Sequence, residues 1–253
     1  FVLGWLASRI DLRQMRLENR QAPKAYFKGL NFLLNEQQDQ AIDAFIEAVQ
    51  NDPDTSELHF ALGNLFRRRG EYERAVRVHE HLLSRGDLSQ ADRHRAQHAL
   101  ALDYLKAGLL DRAEAALLKL EGTAFESQAR LALLANYERS RDWVHAAEIA
   151  RKLEKSDQGS FSSRLAHYLC EQALAYSDQP TDAAASGQAI GLLQQAIATA
   201  PSAPRPRMAL AQLQSQMGDA PAAYATLAQT LETAPAATPL LAAQLAQAAI
   251  TAR

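Results

Sequence analysis

The residues with the most chemistry to offer are seven histidines, one cysteine and a run of three arginines. His94 and His98 stand four apart, so a helix would place both on one face, a common spacing for two metal ligands. His79 and His81 are two apart and would point to different helix faces. No HExxH surrounds either pair, and the nearby carboxylates Asp92 and Glu80 are ordinary helix-surface residues. Solvated or packing histidines are therefore the main reading, and a metal site the alternative. Cys170, within LAHYLCEQALA, falls where a helix needs a small buried residue, so packing is favoured over a nucleophile. The patterns GxxxxGK[ST], GxGxxG and GxSxG do not occur, and no stretch spells out a reaction. Arg67-Arg68-Arg69 reads either as a solvated helix end, favoured by the helix dipole, or as a cationic edge for a bound partner.

The elements that must carry these residues are helices. The chain is rich in Ala and Leu, and it lacks period-two Val/Ile/Thr runs. Leu58–Leu83 sets the pattern: Leu62-Gly63, then Phe66 one turn on, a turn at Gly70-Glu71-Tyr72, and Ala75 in a second helix. That order is the 34-residue tetratricopeptide signature. Counted by the small residue of each second helix, the repeats fall at Ala41, Ala75, Ala113, Ala146, Ala189 and Ala223, at intervals of 34, 38, 33, 43 and 34 residues. The fold expected is an all-α tetratricopeptide-repeat solenoid of about six helix pairs over 22–253, with the two long intervals taken up by insertions at turns. His79 occupies a slot where a large apolar residue is usual. The last helix, Leu240–Ile250, is apolar where a terminal repeat should be polar, so a further helix is expected beyond it.

In such an array the first helix of each pair lines a groove. The partner-binding candidates are Tyr26 from repeat one; Phe60, Asn64, Arg67 and Arg68 from repeat two, beside Glu57; and Arg95 and His98 from repeat three. An Asn amide can hold an extended backbone, and an Arg pair suits carboxylates. Chaperone-binding repeats clamp a C-terminal carboxylate with Lys and Asn; here Tyr26 and Leu30 hold those positions, so that clamp is not expected. Net charge is −2, so no overall field draws the chain to nucleic acid. The charge is uneven: residues 1–155 hold 23 Lys/Arg and 23 Asp/Glu, and 156–253 only 4 and 6, so the charged surface belongs to the first part. One cysteine rules out an internal disulfide and a cysteine-built zinc site in these residues.

Residues 1–21 read differently. Phe1–Ala7 is apolar with Trp5 near its end, and Arg9, Arg13, Arg16 and Arg20 follow. That order fits the inner end of a membrane helix and its basic juxtamembrane linker, leaving the repeats in the cytoplasm. An amphipathic leader helix or a signal-peptide remnant is the other reading.

GLNFLLNEQQDQAIDAF (Gly29–Phe45), ELHFALGNLFRRRGEYERAVRVHEHLL (Glu57–Leu83) and LALDYLKAGLLDRAEAAL (Leu100–Leu117) together resemble the lipopolysaccharide assembly protein B family, inner-membrane tetratricopeptide proteins of bacteria. The likeness is closest over 26–155 and only architectural after 200. It implies an adaptor, not an enzyme: a single-pass inner-membrane protein whose repeats bind the deacetylase committing precursors to lipid A. The family promotes degradation of that deacetylase by a membrane-anchored ATP-dependent zinc protease, and a lipopolysaccharide-sensing membrane protein relieves the activity. A scaffold gathering lipopolysaccharide synthesis and export proteins, without proteolysis, is the alternative. Family members continue into a rubredoxin-like zinc module with two CxxC pairs; no cofactor is assigned to the present residues.

Overall fold

The computed structural model describes residues 24–156, 159–177 and 183–251. They form thirteen α-helices. In chain order these are α1 (24–34), α2 (Gln38–Asn51), α3 (Ser56–Arg69), α4 (Tyr72–Ser84), α5 (Gln90–Ala107), α6 (Leu110–Leu118) and α7 (Glu126–Ser140). There follow α8 (Trp143–Glu154), α9 (Ser162–Ser177), α10 (Ala183–Thr199), α11 (Pro204–Gln216), α12 (Ala220–Thr233) and α13 (Thr238–Thr251). The chain divides after Ala132 into two compact units. The expectation of a membrane segment falls on residues outside those described. Among the described residues no helix is long and apolar enough to cross a membrane.

Five of the helix pairs close through the same turn. The first helix ends in a left-handed residue, and the next backbone N–H reaches back to a carbonyl five residues earlier. Gln37 bonds Phe32, Glu71 bonds Phe66, Leu109 bonds Tyr104, Asp142 bonds Tyr137 and Asp219 bonds Gln214. Gly70, Gly108 and Gly218 hold the left-handed position in three of these turns, where a Cβ would be strained. In the other two, Glu36 and Arg141 adopt φ 58°. Asp142 and Asp219 then cap the following helices through the N–H groups of His145 and Ala222.

The six alanines that count the repeats are all fully buried. They sit where the second helix of a pair crosses its neighbours, and only a methyl fits. In the first unit this crossing is part of a core of Ala41, Phe45, Leu58, Leu62 and Phe66, with Tyr26 and Leu30 packed against it. Gly29 leaves room for Phe45, whose ring would lie 3.0 Å from a Cβ at that position. Thirty-four residues on, Gly63 does the same for His79. The imidazole thus stands where repeat one has a phenyl ring.

The long interval from Ala75 to Ala113 is not mainly a turn insertion. The extra length goes into α5, at 18 residues one turn longer than the 14 of α3. In the second unit, α11, α12 and α13 share a core of Ala211, Ala223, Leu227 and Leu241. The last helix therefore meets part of its apolar face internally; Leu240 and Ile250 stay exposed.

Candidate partner-binding face

The first unit has a charged cluster at its centre. Asp103, on α5, is fully buried. A bare carboxylate there would be prohibitive, so neighbours must neutralise and bond it. Arg67 reaches across from α3: one Nη lies 2.8 Å from Asp103 Oδ1 and 3.1 Å from the Ala99 carbonyl oxygen. The other Nη donates to Asn64 Oδ1 at 2.5 Å. From α4, fully buried His79 donates through Nδ1 to Asp103 Oδ2. Its Nε2 has no hydrogen-bond partner and faces the Cα of Gly63. Three helices are thus joined by one carboxylate. The grouping has the donors of a proton-transfer site but no nucleophile, and Asp103 and His79 are both sealed from solvent. Its work is positional.

This arrangement changes what the sequence-predicted residues can do. Phe60 is expected from its position on the groove surface; only 2% of it is exposed. It packs on Leu82 and Ala96, and the Arg95 guanidinium lies over its ring at 4.1 Å. The physical reason is that α5 packs across α3 at that position and covers a side chain that would otherwise face solvent. Arg67 and Asn64 spend their polar atoms on the buried cluster. Arg95 is presented at the surface, paired through both Nη atoms with Glu57 at 2.5 and 3.2 Å. Arg68 is exposed, and no described residue pairs with it. His98 stacks on Phe125 at 5.2 Å. Tyr26 packs edge-on to Phe45 at 6.0 Å, within the repeat-one core. The structure therefore brings Glu57 and Arg95 together across α3 and α5, with Phe60, Asn64 and Arg67 beneath as support, and leaves Arg68 exposed on α3.

Of the two spaced pairs, His98 and His81 are engaged in ring packing. His98 is occupied by Phe125, and exposed His81 lies 5.7 Å from the ring of buried His59. Among the described residues no three His, Cys, Asp or Glu side chains gather as a metal ion requires. Cys170 on α9 is fully buried, and burial pushes its thiol up to about 11. A thiol reagent should leave it unmodified in the folded protein and titrate it once denatured. Fast labelling of the native chain would contradict this placement.

Three histidines are held below the ordinary imidazole value, in each case chiefly by burial. They are His59, His98, where the charge of Arg67 adds, and His167, where that of Arg205 adds. In the unfolded chain they protonate near pH 6.5, before their folded counterparts. As pH falls the unfolded state binds more protons, so stability is full above about pH 6.5 and lost as pH drops through the lower folded values. The melting temperature should fall between pH 7.5 and 5.5, and His59→Gln should flatten part of that fall. A level profile would show that these imidazoles titrate as they do in water.

In the second unit a comparable but more open set joins α7 and α9. Glu138 accepts from Arg164 Nη2 at 2.8 Å and from the hydroxyl of Tyr168. Burial pushes Glu138 up, but these bonds outweigh it and hold the carboxyl below its usual range. Trp143, opening α8, stacks on Tyr168 at 6.0 Å. Sequence pattern singles out neither this group nor Asp103. A signal for Asp103 is nevertheless present: within LALDYL it lies on the same helix stripe as Ala96, Ala99 and Leu100, all of them buried.

Comparison with known proteins identifies the surroundings of this face. A tetratricopeptide-repeat family model matches residues 58–93, which carry most of α3, all of α4 and the start of α5. The chain is 38% identical over 173 residues to lipopolysaccharide assembly protein B of Escherichia coli, covering 68% of this chain and 44% of that one. It is 30% identical over 242 residues to the protein of the same name from Haemophilus influenzae, covering 92% of this chain and 60% of that one. The chain thus spans about half the length of these curated relatives. A crystal structure of a tetratricopeptide repeat protein from Parabacteroides merdae superposes with TM-score 0.50 at 15% identity, over 85% of this chain and 80% of that one.

Proposed function

Because this chain is a homologue of lipopolysaccharide assembly protein B built of tetratricopeptide repeats, we propose that it is a non-enzymatic adaptor controlling lipopolysaccharide synthesis. The face made by α3 and α5 holds the deacetylase that commits precursors to lipid A. An N-terminal segment tethers the chain to the inner membrane beside an ATP-dependent zinc protease, with the repeats in the cytoplasm. A lipopolysaccharide-sensing membrane protein relieves the activity. Tethering the deacetylase beside the protease makes its delivery intramolecular, which raises engagement by about 10²–10⁴-fold without a new contact at the protease.

The observation that carries this reading is the identity to the named relatives across both units, coupled with a repeat face that leaves Arg68 and Arg95 at the surface. Exposed Arg68 suits the acidic side chains of a protein client, and Arg95 suits one that displaces Glu57 from it. The rigidity of the helix pair comes from the buried carboxylate below.

A titration of the chain against the deacetylase tests it. Saturable binding is expected, weakened at least tenfold by Arg68→Glu/Arg95→Glu, which leaves the buried cluster in place. Deacetylase half-life in cells should lengthen when the chain is removed. Binding with an unchanged half-life would favour a scaffold without proteolysis, and no binding would remove the deacetylase from the reading.

A further inference from the structure

The first unit carries a cleft of about 470 Å³ between α4, α5 and α6. Two helix stripes form its main walls. Arg93, Gln97, Leu100 and Tyr104 follow one another along a single face of α5. The second stripe is Arg112 and Ala115 of α6, with Lys119 directly after that helix. Small Ala115 and Ala116 keep this wall low and leave the space open. Three cations thus line the cleft, and no carboxylate does. Residues 1–155 hold equal numbers of Lys/Arg and Asp/Glu, so the wall is a local excess of positive charge. Like charges kept together repel, and an anion between them recovers that cost.

Two of the three cations are held in place. Arg93 is partly buried, and its two Nη atoms donate to the carbonyl oxygens of Leu83 and Arg85, each at 3.0 Å. The Arg112 guanidinium lies over the ring of buried Tyr104 at 4.3 Å. Its Nη2 donates to the Tyr104 hydroxyl at 2.8 Å and to Glu80 Oε1 at 2.9 Å. A guanidinium has five N–H donors, so each fork keeps others to give. Gln97 Nε2 donates to the Ala116 carbonyl oxygen at 3.0 Å and fixes the spacing of α5 and α6. Lys119 is exposed, and no described carboxylate pairs with it. We infer that this cleft binds a phosphate monoester, its oxygens on Arg93, Arg112 and Lys119 and its organic part on Leu83 and Leu100. A phosphate monoester carries up to two negative charges and offers three acceptor oxygens to three cations, where a carboxylate has two in one plane. The guanidinium groups are already ordered, so binding costs little of their freedom. The volume exceeds that of a bare phosphate and admits an attached sugar or headgroup. None of these residues is among the partner-binding candidates, so the site does not rest on the adaptor reading.

The test uses the whole chain in two arms. Calorimetry with glucose 1-phosphate probes a soluble source of the phosphate. Sedimentation with phosphatidylcholine vesicles, with and without phosphatidic acid, probes a lipid headgroup. Glucose 1-phosphate should give saturable heat and raise the melting temperature, and glucose should do neither. Lys119→Glu should weaken binding at least tenfold. Ala115→Phe, which keeps every charge and fills the cleft, should weaken it as much. Glu80→Gln releases Arg112 from its carboxylate and should tighten binding several-fold; Glu73→Gln, the same charge change elsewhere on α4, should not. Melting of each unliganded variant shows that it is folded. Heat lost in Lys119→Glu supports the site with a soluble ligand. Sedimentation that needs phosphatidic acid and is lost in Lys119→Glu supports it with a lipid one. Binding in neither arm at millimolar ligand, or binding indifferent to both Lys119→Glu and Ala115→Phe, would overturn it.

Discussion

Replacing Asp103 by Ala lowers the stability of the first unit by about 3–5 kcal/mol, the scale for removing one partner of a buried charge group. The carboxylate is the common acceptor of Arg67 from α3 and His79 from α4. Without it, a guanidinium with only 18% of its side chain exposed loses its counter-charge, and a fully buried imidazole loses its only hydrogen bond. The imidazole does not reach water without separating helices, and the guanidinium meets it only along its exposed edge. Asp103→Asn, which keeps the shape and one acceptor, should lose less. The informative control is to exchange the whole group, Asp103→Leu with Arg67→Met and His79→Leu. Apolar replacements of a buried ionic group are often neutral or stabilising, so the triple variant should recover most of the loss. Urea unfolding with an unchanged m-value measures all three. A single-variant loss below about 1 kcal/mol would show that water reaches the cluster.

Gly63→Ala should also destabilise, against the usual sign for a helix interior. Helix propensity alone favours Ala over Gly by about 1 kcal/mol. At Gly63, however, the new Cβ would stand 2.5 Å from Cε1 and Nε2 of His79. The ring cannot swing aside, because Nδ1 is bonded to Asp103 and the surroundings are closed. Overpacking of this kind costs about 1–3 kcal/mol and should exceed the propensity gain. Gly187→Ala on α10 meets nothing within 4 Å and should stabilise by about 0.5–1 kcal/mol. His79→Ala in the Gly63→Ala background removes the collision, so the two changes should be less harmful together than their sum. Simple addition would mean that the helices move apart and the two residues do not meet.

The repeat plan was legible because its marker is steric. A crossing that admits only a methyl selects Ala whatever surrounds it, so Ala41, Ala75, Ala113, Ala146, Ala189 and Ala223 could be counted from composition and period alone. The candidate face was legible only in part. Sequence position assigns a residue to a helix face, but which face the next helix covers depends on its length. α5 is a turn longer than α3. Phe60 consequently became floor, and Arg67 became a strut. His79 stood out as polar in an apolar slot, yet its partner lies 24 residues on in another helix, where no local pattern links them.

The packing of sequence neighbours has a consequence for how the chain is made. Even the side-chain bridges that tie successive repeats, Arg95 to Glu57 and Arg205 to Glu171, close spans of only 38 and 34 residues. Loops that short close cheaply and quickly, and folds of low contact order form fast. Each helix pair can therefore dock soon after it leaves the ribosome, at a synthesis rate of about 5–20 residues per second, before the pair behind it exists. The Asp103 cluster is complete once α5 has emerged, so the first unit need not wait for the second with its ions unpaired.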